Sequence, residues 1–476
     1  MRRRGHVPGD LGTRGVRVAR VAGPRAARHA MTRVTNVLRD DGGASEQLAR
    51  VHRESAVAAA ELLGGLKGGA MKLGQLASYV ELEFIPAEYR ELYQSELAAL
   101  RDAAPAMSWQ AVREVLAAEW GRPPDDVLEI ETDAAAAASI GQVHRGVMAD
   151  GREVAVKVQY PGVASAIEAD VRTALVLMRA WRGLVPGLGT SSLATELRDR
   201  VLEELDYRLE AENQAVFADA YRGHPFIHVP APVPELCTGL VLVTEWVDGA
   251  PFAAIRDLPQ ADRDRFAEML FRFYLGSMDV VGRFNADPHP GNFLLLPDGR
   301  AAILDFGAVK RITPAFRERM NSLAIACSNR DGARLGELMS RLGWFEDPER
   351  IDPEALVEAV FLSSGWLLEN RSVRLTPEYV RARLELLLAP GGDLYDVLRR
   401  ATLPPDELWF RRLENSLLAV LAQLRARGHW HRAARELWFG EPPATELGRL
   451  EWDFFAARPL WRDPRTRLRA AAEGGR

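Results

Sequence analysis

Hydrophobic and polar positions along this chain follow two periods, which separate two kinds of predicted structure. Glu153–Val158 alternates, with three valines on one face of a strand and Ala155 and Lys157 on the other. Leu240–Val243 is a continuous apolar run of the length typical of a buried strand. After Gly307, Leu and Trp positions recur at helical spacing to about residue 440. These patterns predict an α+β protein in which a β-rich part is followed by a mostly helical part.

Other segments also have the helical period. Met107–Leu128 is amphipathic and opens with Ser108, a residue type that caps helix N-termini. Asp262–Val281 predicts a second long helix, and the region from about residue 45 to residue 100 is helical in pattern although glycines interrupt it. Ser191–Gln214 predicts a further helix with one apolar face, formed by Leu197, Val201, Leu205 and Leu209.

Polar residues with chemical potential cluster around one predicted hairpin. Four residues separate Asp287 from Asn292, and an Asp-Phe-Gly sequence begins at Asp305. Pairing the apolar runs Phe293–Leu296 and Ala301–Leu304 around their Pro-Asp-Gly-Arg turn would bring Asn292 and Asp305 to the same end of the ribbon. The alternative is that Asp287 and Asn292 cap turns in a proline-rich loop and that Asp305 ends an ordinary strand.

This spacing has the form used for phosphoryl transfer. In protein kinases an Asp accepts the proton of the nucleophile, an Asn five positions later binds metal, and the Asp of Asp-Phe-Gly binds metal from the opposite side. Asp287 is therefore the candidate base, and Asn292 and Asp305 are the candidate metal ligands. Mg²⁺ suits them because it needs hard oxygen ligands and keeps much of its water, so two protein ligands and nucleotide phosphates suffice.

Lys157 is the candidate phosphate ligand, because Val-Ala-Val-Lys matches the kinase strand whose Lys reaches the α- and β-phosphates. A helix carboxylate holds such a Lys extended, and we assign that role to Glu210, with Glu203 as the alternative. The strand ending at Glu245 would be the hinge, whose backbone from Glu245 to Val247 bonds an adenine edge. The alternative for Lys157 is a surface Lys on an edge strand. The alternative for the hinge is a plain core strand.

Composition narrows the classes of function. The chain has 476 residues, more than one ordinary core, and its 47% hydrophobic and 27% charged content is that of a globular protein. A net charge of -5 argues against general nucleic-acid binding. Cys237 and Cys327 lack metal-ligand spacing and fit a reducing compartment, so we expect a cytoplasmic protein.

No apolar run reaches the roughly 18 residues of a membrane-spanning helix, although the Arg-rich residues 1–40 could contact anionic lipid at the inner face of the membrane. A solvated tail and a transit peptide are the alternatives for this arm.

From about Gly64 to Gly307 the motifs resemble those of the UbiB/AarF atypical protein-kinase-like family, called the ADCK family in animals. The family's Lys-x-Gly-Gln signature is matched by Lys72, Gly74 and Gln75. Its alanine-rich loop, which replaces the kinase glycine-rich loop, is matched by Ala134–Ala138 and the residues after it, Ser139, Ile140, Gly141 and Val143. Its Glu-x-Asp signature is matched by Glu204 and Asp206.

The resemblance implies a bilobal protein-kinase-like fold that binds ATP or ADP with Mg²⁺. Lys72 would pair with Glu204 and Asp206, from a helical extension that lies across the cleft. The residues expected at the nucleotide are Ala138, Ser139, Ile140, Gly141, Val143, Ala155, Lys157, Glu245 and Val247. The predicted regions are a basic arm (1–44), the helical extension (45–106), the N-lobe (107–249), the C-lobe (250–440) and a C-terminal tail (441–476).

The implied function is Mg²⁺-dependent phosphoryl transfer or ATP hydrolysis linked to isoprenoid-lipid or quinone biosynthesis, with a prenyl lipid or other small molecule as substrate. An alternative is a nucleotide-gated lipid-binding or chaperone module without productive phosphoryl transfer. The alanine-rich loop favours that alternative, because methyl groups hinder a close approach of backbone to phosphate. A small-molecule phosphotransferase of the aminoglycoside or choline type would lack the Lys-x-Gly-Gln signature and the alanine run.

Overall fold

The computed structural model describes residues 107–138, 140–165, 167, 205–345, 347–387, 393–402 and 404–458. They fall into two compact units: the smaller contains 107–112, 136–138, 140–142, 159–165 and 167, and the larger contains the others. The predictions for the arm and the helical extension, with Lys72, Gly74 and Gln75, lie outside the described residues, as do those for Ser139, Glu203 and Glu204.

Short strands form four sheets in the described chain. The strands are β1 (Leu128–Ile130), β2 (Ala136–Ala138), β3 (Gly141–Met148), β4 (Glu153–Gln159), β5 (Ile227–His228), β6 (Val241–Glu245), β7 (Ala250–Pro251), β8 (Arg283–Asn285), β9 (Phe293–Leu295), β10 (Ala301–Ile303), β11 (Val309–Arg311), β12 (Val373–Arg374) and β13 (Arg427–Gly428). The largest sheet has the order β1-β3-β4-β6 with β2 also on β3, and a second has the order β5-β10-β9-β7. Strand β11 pairs with β8, and β12 pairs with β13.

Helices dominate the rest. They are α1 (Trp109–Trp120), α2 (Tyr207–Ala220), α3 (Phe252–Arg256), α4 (Gln260–Val280), α5 (Pro314–Ser328), α6 (Gly332–Arg341), α7 (Pro353–Leu368), α8 (Pro377–Leu387), α9 (Asp393–Arg400), α10 (Pro405–Gln423), α11 (Trp430–Phe439) and α12 (Glu446–Ala456). Helix α4 corresponds to the predicted Asp262–Val281 helix. It is buried along most of its length and packs against β8, α10 and α11, so it forms the centre of the helical core.

Helix α1 begins as predicted and ends early. The Ser108 hydroxyl accepts a hydrogen bond from the Ala111 N–H at 3.4 Å, as an N-cap does. The predicted end at Leu128 is wrong, because Gly121 adopts a left-handed φ of 67° and two prolines follow it. Leu128 instead starts strand β1.

The predicted helix Ser191–Gln214 is wrong in its C-terminal part. Asp206 is extended, with φ −108° and ψ 102°, and its side chain accepts the Arg208 N–H as the N-cap of α2. The predicted apolar face is also wrong here: Leu209 is 39% exposed, whereas Glu210 is buried. The buried face of α2 follows a new register, set by Tyr207, Glu210, Ala211, Gln214, Phe217 and Ala218.

Both predicted hairpins are present. The valine face of β4 is buried and Lys157 lies on the opposite face. Between β3 and β4, Gly151 provides the turn with a φ of 84°. Strands β9 and β10 pair antiparallel, with Phe293 opposite Ile303, so the second hairpin also follows its sequence pattern.

The packed helices continue beyond the predicted boundary at residue 440. Helix α12 buries Leu447 and Phe455 in the same apolar core as α4, so this part of the segment assigned to a tail belongs to the helical core. The lobe boundary between residues 249 and 250 stays a prediction. Among the helices that the structure describes, none combines the length and apolar character needed to cross a membrane.

Candidate functional site

Lys157 and Glu210 form the predicted pair. The Lys157 Nζ donates to Glu210 Oε1 at 2.8 Å and Oε2 at 3.0 Å, and it lies 3.5 Å from Asp305 Oδ2. Burial acts to lower the pKa of Lys157, but the carboxylates of Glu210 and Asp305 outweigh it and raise that pKa well above its ordinary value. Lys157 therefore stays positively charged. Its Nζ also lies 4.8 Å from the centre of the Tyr207 ring.

Two contacts fix the helix that presents Glu210. Arg283 Nη1, on β8, donates to Asn213 Oδ1 on α2 at 2.8 Å. The rings of Phe217 on α2 and Phe306 of the Asp-Phe-Gly sequence lie 4.9 Å apart, and both are fully buried. The Glu210 helix is thus attached both to the strand before Asp287 and to the residue after Asp305.

Asn285 is a site residue that the sequence analysis missed. It is fully buried at the end of β8. Its Nδ2 donates to the Asp305 carbonyl at 2.6 Å, and its Oδ1 accepts the Asp287 N–H at 3.0 Å. One amide therefore sets the distance between the backbones of Asp287 and Asp305. The available signal was a polar residue between Phe284 and Ala286, immediately before the loop.

Asn292 and Asp305 lie at the same end of the hairpin, as predicted. The Leu304 N–H donates to the Asn292 carbonyl at 3.0 Å, which closes the β9–β10 ladder beside both residues. Asn292 Nδ2 donates to the Asp287 carbonyl at 3.3 Å, and Asp305 Oδ1 accepts the Gly307 N–H at 2.9 Å. Asp287, Asn292 and Asp305 thus belong to one hydrogen-bonded group.

A second missed residue contacts the candidate base directly. Arg412, on α10, donates from Nη2 to Asp287 Oδ1 at 3.0 Å. The two side chains are 10% and 20% exposed, so this ion pair is largely shielded from water. Arg412 follows Asp287 by 125 residues, and no local pattern in the sequence connects the two.

The predicted hinge and the alanine-rich loop differ in part from the sequence predictions. The N–H groups of Glu245 and Trp246 donate to the carbonyls of Ala231 and Glu153, so Val247 is the predicted hinge residue whose N–H could serve a nucleotide. Part of the predicted alanine-rich loop, Ala136–Ala138, is strand β2. Of the other predicted nucleotide contacts, Ile140 and Gly141 belong to the smaller unit, and Val143 and Ala155 lie on strands of the larger unit. Their contact with nucleotide stays a prediction.

Asp206 lies at the N-terminus of α2, where it caps the helix. Its predicted partner Lys72 and the neighbouring Glu204 lie outside the described residues.

The oxygen donors around Asp305 fit Mg²⁺. Asp305 offers a carboxylate and Asn292 an amide oxygen, and no sulfur or imidazole ligand belongs to this set. Within the described ranges, no group of three or more His, Cys, Asp or Glu side chains is arranged to hold a metal ion. A metal held by these two residues would therefore complete its shell with water and phosphate oxygens.

The site has the features of the protein-kinase-like class of folds. These are a strand lysine paired with a helix glutamate, a loop with an Asp and an Asn, and an Asp-Phe-Gly sequence after a hairpin. Residues 99–339 match the model of the ABC1 atypical kinase-like domain. The chain is 32% identical over 403 residues to "Atypical kinase COQ8B, mitochondrial" of Rattus norvegicus, covering 83% of this chain and 73% of that protein. It belongs to the ABC1 atypical kinase-like family, which is the predicted UbiB/AarF (ADCK) family, and the predicted α+β kinase-like fold is confirmed.

Two further relatives agree. "Protein ACTIVITY OF BC1 COMPLEX KINASE 1, chloroplastic" of Arabidopsis thaliana is 30% identical over 312 residues, covering 64% of this chain and 45% of that protein. This chain therefore spans less than half the length of the Arabidopsis relative. A solved structure, "The complex structure of Rv3197-erythromycin from Mycobacterium tuberculosis", is similar with a TM-score of 0.58 and 31% identity, covering 84% of this chain and 100% of that chain.

Proposed function

We propose that this protein binds Mg²⁺-ATP and either hydrolyses it or transfers its phosphoryl group to a small molecule. The observation that supports this most directly is Lys157 held between Glu210 at 2.8 Å and Asp305 at 3.5 Å. A buried cation beside a partly exposed carboxylate suits a metal-bound polyphosphate, because the carboxylate can bind the metal and the cation can bind phosphate. Family membership supports the same class of activity.

Each residue has one role in this proposal. Mg²⁺, when bound, neutralises phosphate charge, and Asp305 and Asn292 would hold it. Lys157 binds phosphate oxygens, and Glu210 keeps Lys157 extended. Asp287 accepts the proton of the attacking hydroxyl or orients a water molecule. Catalysis of this type rests on positioning and charge stabilisation, which suits side chains that are already hydrogen-bonded in place.

The acceptor is proposed from the family. The name COQ8B and the family's association with quinone biosynthesis support an isoprenoid lipid or quinone precursor as the substrate class. The named relatives are mitochondrial and chloroplastic, so the cytoplasmic location and membrane contact through the basic arm stay predictions.

Replacement of the metal ligand tests the proposal. In Asp305→Asn we expect loss of the Mg²⁺-ATP-induced rise in melting temperature and of phosphate release, with the nucleotide-free melting temperature nearly unchanged. Asp298→Asn is the matched control, because Asp298 is an exposed Asp of the same hairpin that pairs with Arg300. Equal turnover in the two variants would contradict the enzymatic proposal.

Phosphate release and liposome binding, measured on the wild type and on Asp287→Ala, distinguish the enzyme from the lipid-binding alternative. That alternative predicts no phosphate release by the wild type and nucleotide-dependent binding to liposomes containing prenylated phenols. It also predicts that this binding survives in Asp287→Ala. Phosphate release that Asp287→Ala eliminates would exclude it.

A further inference from the structure

Helix α10 reaches the candidate base from a distant part of the chain. Arg412 Nη2 lies 3.0 Å from Asp287 Oδ1, and the Arg412 side chain is 10% exposed. The guanidinium also lies 5.2 Å from the centre of the Trp409 ring, one turn earlier in the same helix. Arg412 is therefore held both by an aromatic face and by the carboxylate.

The same helix is anchored to the strand that leads into the loop. Phe410 on α10 and Phe284 on β8 make an edge-to-face contact, with ring centroids 6.3 Å apart. Both rings are buried. Since Phe284 lies three residues before Asp287, this contact fixes the distance across which Arg412 must reach.

In the part of the chain that the structure describes, the other hydrogen bonds of Asp287 are made by its backbone. Its N–H donates to Asn285 Oδ1, and its carbonyl accepts from the His289 N–H and Asn292 Nδ2. Those bonds leave rotation about the Cα–Cβ bond free, whereas a charge-assisted bond from Arg412 to one carboxylate oxygen restricts it. The orientation of the carboxylate is thus set from α10.

We propose that Arg412 is a positioning residue for phosphoryl transfer. It orients the Asp287 carboxylate towards the attacking hydroxyl or water. This inference rests on the proposed function. The observed partner of Arg412 is the candidate base Asp287, which differs from the candidate nucleotide and metal ligands Lys157, Asn292 and Asp305. Removal of Arg412 should therefore affect the chemical step and leave nucleotide binding in place.

The test compares Arg412→Met and Arg412→Lys with the wild type. Because misplacement of a catalytic group by about 1 Å costs about 100-fold, we expect Arg412→Met to lower kcat about 10- to 100-fold. The Kd for Mg²⁺-ATP, measured by calorimetry, should stay within about twofold. Arg412→Lys keeps a cation near Asp287 and should recover part of kcat, a rescue that loss of packing alone would not predict.

Arg317→Met is the matched control. Arg317 on α5 pairs with Asp279 at the same 3.0 Å distance, outside the candidate site, so it reports the general cost of removing a partly buried Arg–Asp pair. A kcat in Arg412→Met equal to that of Arg317→Met would overturn the positioning role while the proposed function stands. A parallel loss of Mg²⁺-ATP affinity in Arg412→Met would also overturn it. Absence of turnover in the wild type would overturn the inference together with the proposed function.

Discussion

Two buried charge clusters in this protein resemble each other in composition and differ in enclosure. In one, Lys157 pairs with Glu210 and approaches Asp305, whose side chain is 31% exposed. In the other, Arg272 at the centre of α4 is 1% exposed and contacts Glu268, Glu436 and Glu451. Thr445 Oγ1 accepts a further bond from Arg272 at 2.8 Å. The first cluster has a face towards solvent at Asp305. The second, here called the closed cluster, is enclosed except at Glu268, which is 20% exposed.

The difference teaches that a buried charge with several partners does not by itself indicate a site. Around Arg272 burial raises the pKa of Glu436 and Glu451, and Arg272 only partly offsets it. Those groups join α4, α11 and α12 within the core, so they hold structure together. Lys157 has fewer partners, and one of them is accessible to a ligand. The greater exposure of Asp305 distinguishes the cluster of the candidate site from the structural one.

The largest expected effect comes from opening the closed cluster. Arg272→Met leaves Glu436 and Glu451 buried without their cation, and we expect it to lower the free energy of unfolding by about 3–5 kcal/mol. Chemical denaturation measures this. A loss below about 1 kcal/mol, the value for an exposed ion pair, would remove the distinction between the clusters.

Lys157→Met should reduce turnover more than stability. We expect phosphate release to fall about 100- to 1,000-fold, because a preorganised cation at the phosphates is lost. The free energy of unfolding should also fall, because Glu210, which is 4% exposed, loses its cation. It should fall less than in Arg272→Met, where two buried glutamates lose theirs. A variant that loses stability as severely as Arg272→Met and keeps turnover when folded would reverse the comparison.

The smallest effect tests how tightly the closed cluster is packed. A Cβ at Gly448 would lie 2.6 Å from both Arg272 Nη2 and Glu436 Oε2, so we expect Gly448→Ala to destabilise by about 1–3 kcal/mol through overpacking. Gly336→Ala is the control, because its Cβ would meet Leu356 at an ordinary 3.7 Å on another helix. It should stabilise the protein by about 0.5–1 kcal/mol, as thermal denaturation can measure. Equal destabilisation by the two changes would show that the enclosure of Arg272 is not what limits Gly448.

The sequence predicted the features of the site that depend on local periodicity. Alternation placed Lys157 opposite the valine face of β4, and the Pro-Asp-Gly-Arg turn placed Asn292 beside Asp305, because a hairpin's register follows from its own residues. The prediction that Leu209 lies on the buried face failed because Asp206 is the N-cap of α2, so the buried face is set by the residues from Tyr207 onwards.

Other features depend on contacts between distant segments. Arg412 joins Asp287 through the packing of α10 on β8, and Arg272 meets Glu451 across 179 residues. Arg272 is a single charge within the apolar run Met269–Leu275, which indicates a buried cation, but no short pattern identifies its partners or connects Arg412 with Asp287. Asn285 lies between these cases: its polarity inside a strand is visible in the sequence, but its two partners are set by the fold.

The β9–β10 hairpin also provides a place to observe the site without altering it. Its three-residue strands hold Asn292 and Asp305 at one end, while the exposed turn at Asp298 and Gly299 closes the other end through the bond from the Gly299 N–H to the Leu296 carbonyl. The ladder between the strands pairs Phe293 with Ile303, next to Asn292 and Asp305. A fluorescent reporter inserted after Asp298 would therefore lie at the end of the hairpin opposite Asn292 and Asp305, and its signal could follow ligand binding in the intact chain.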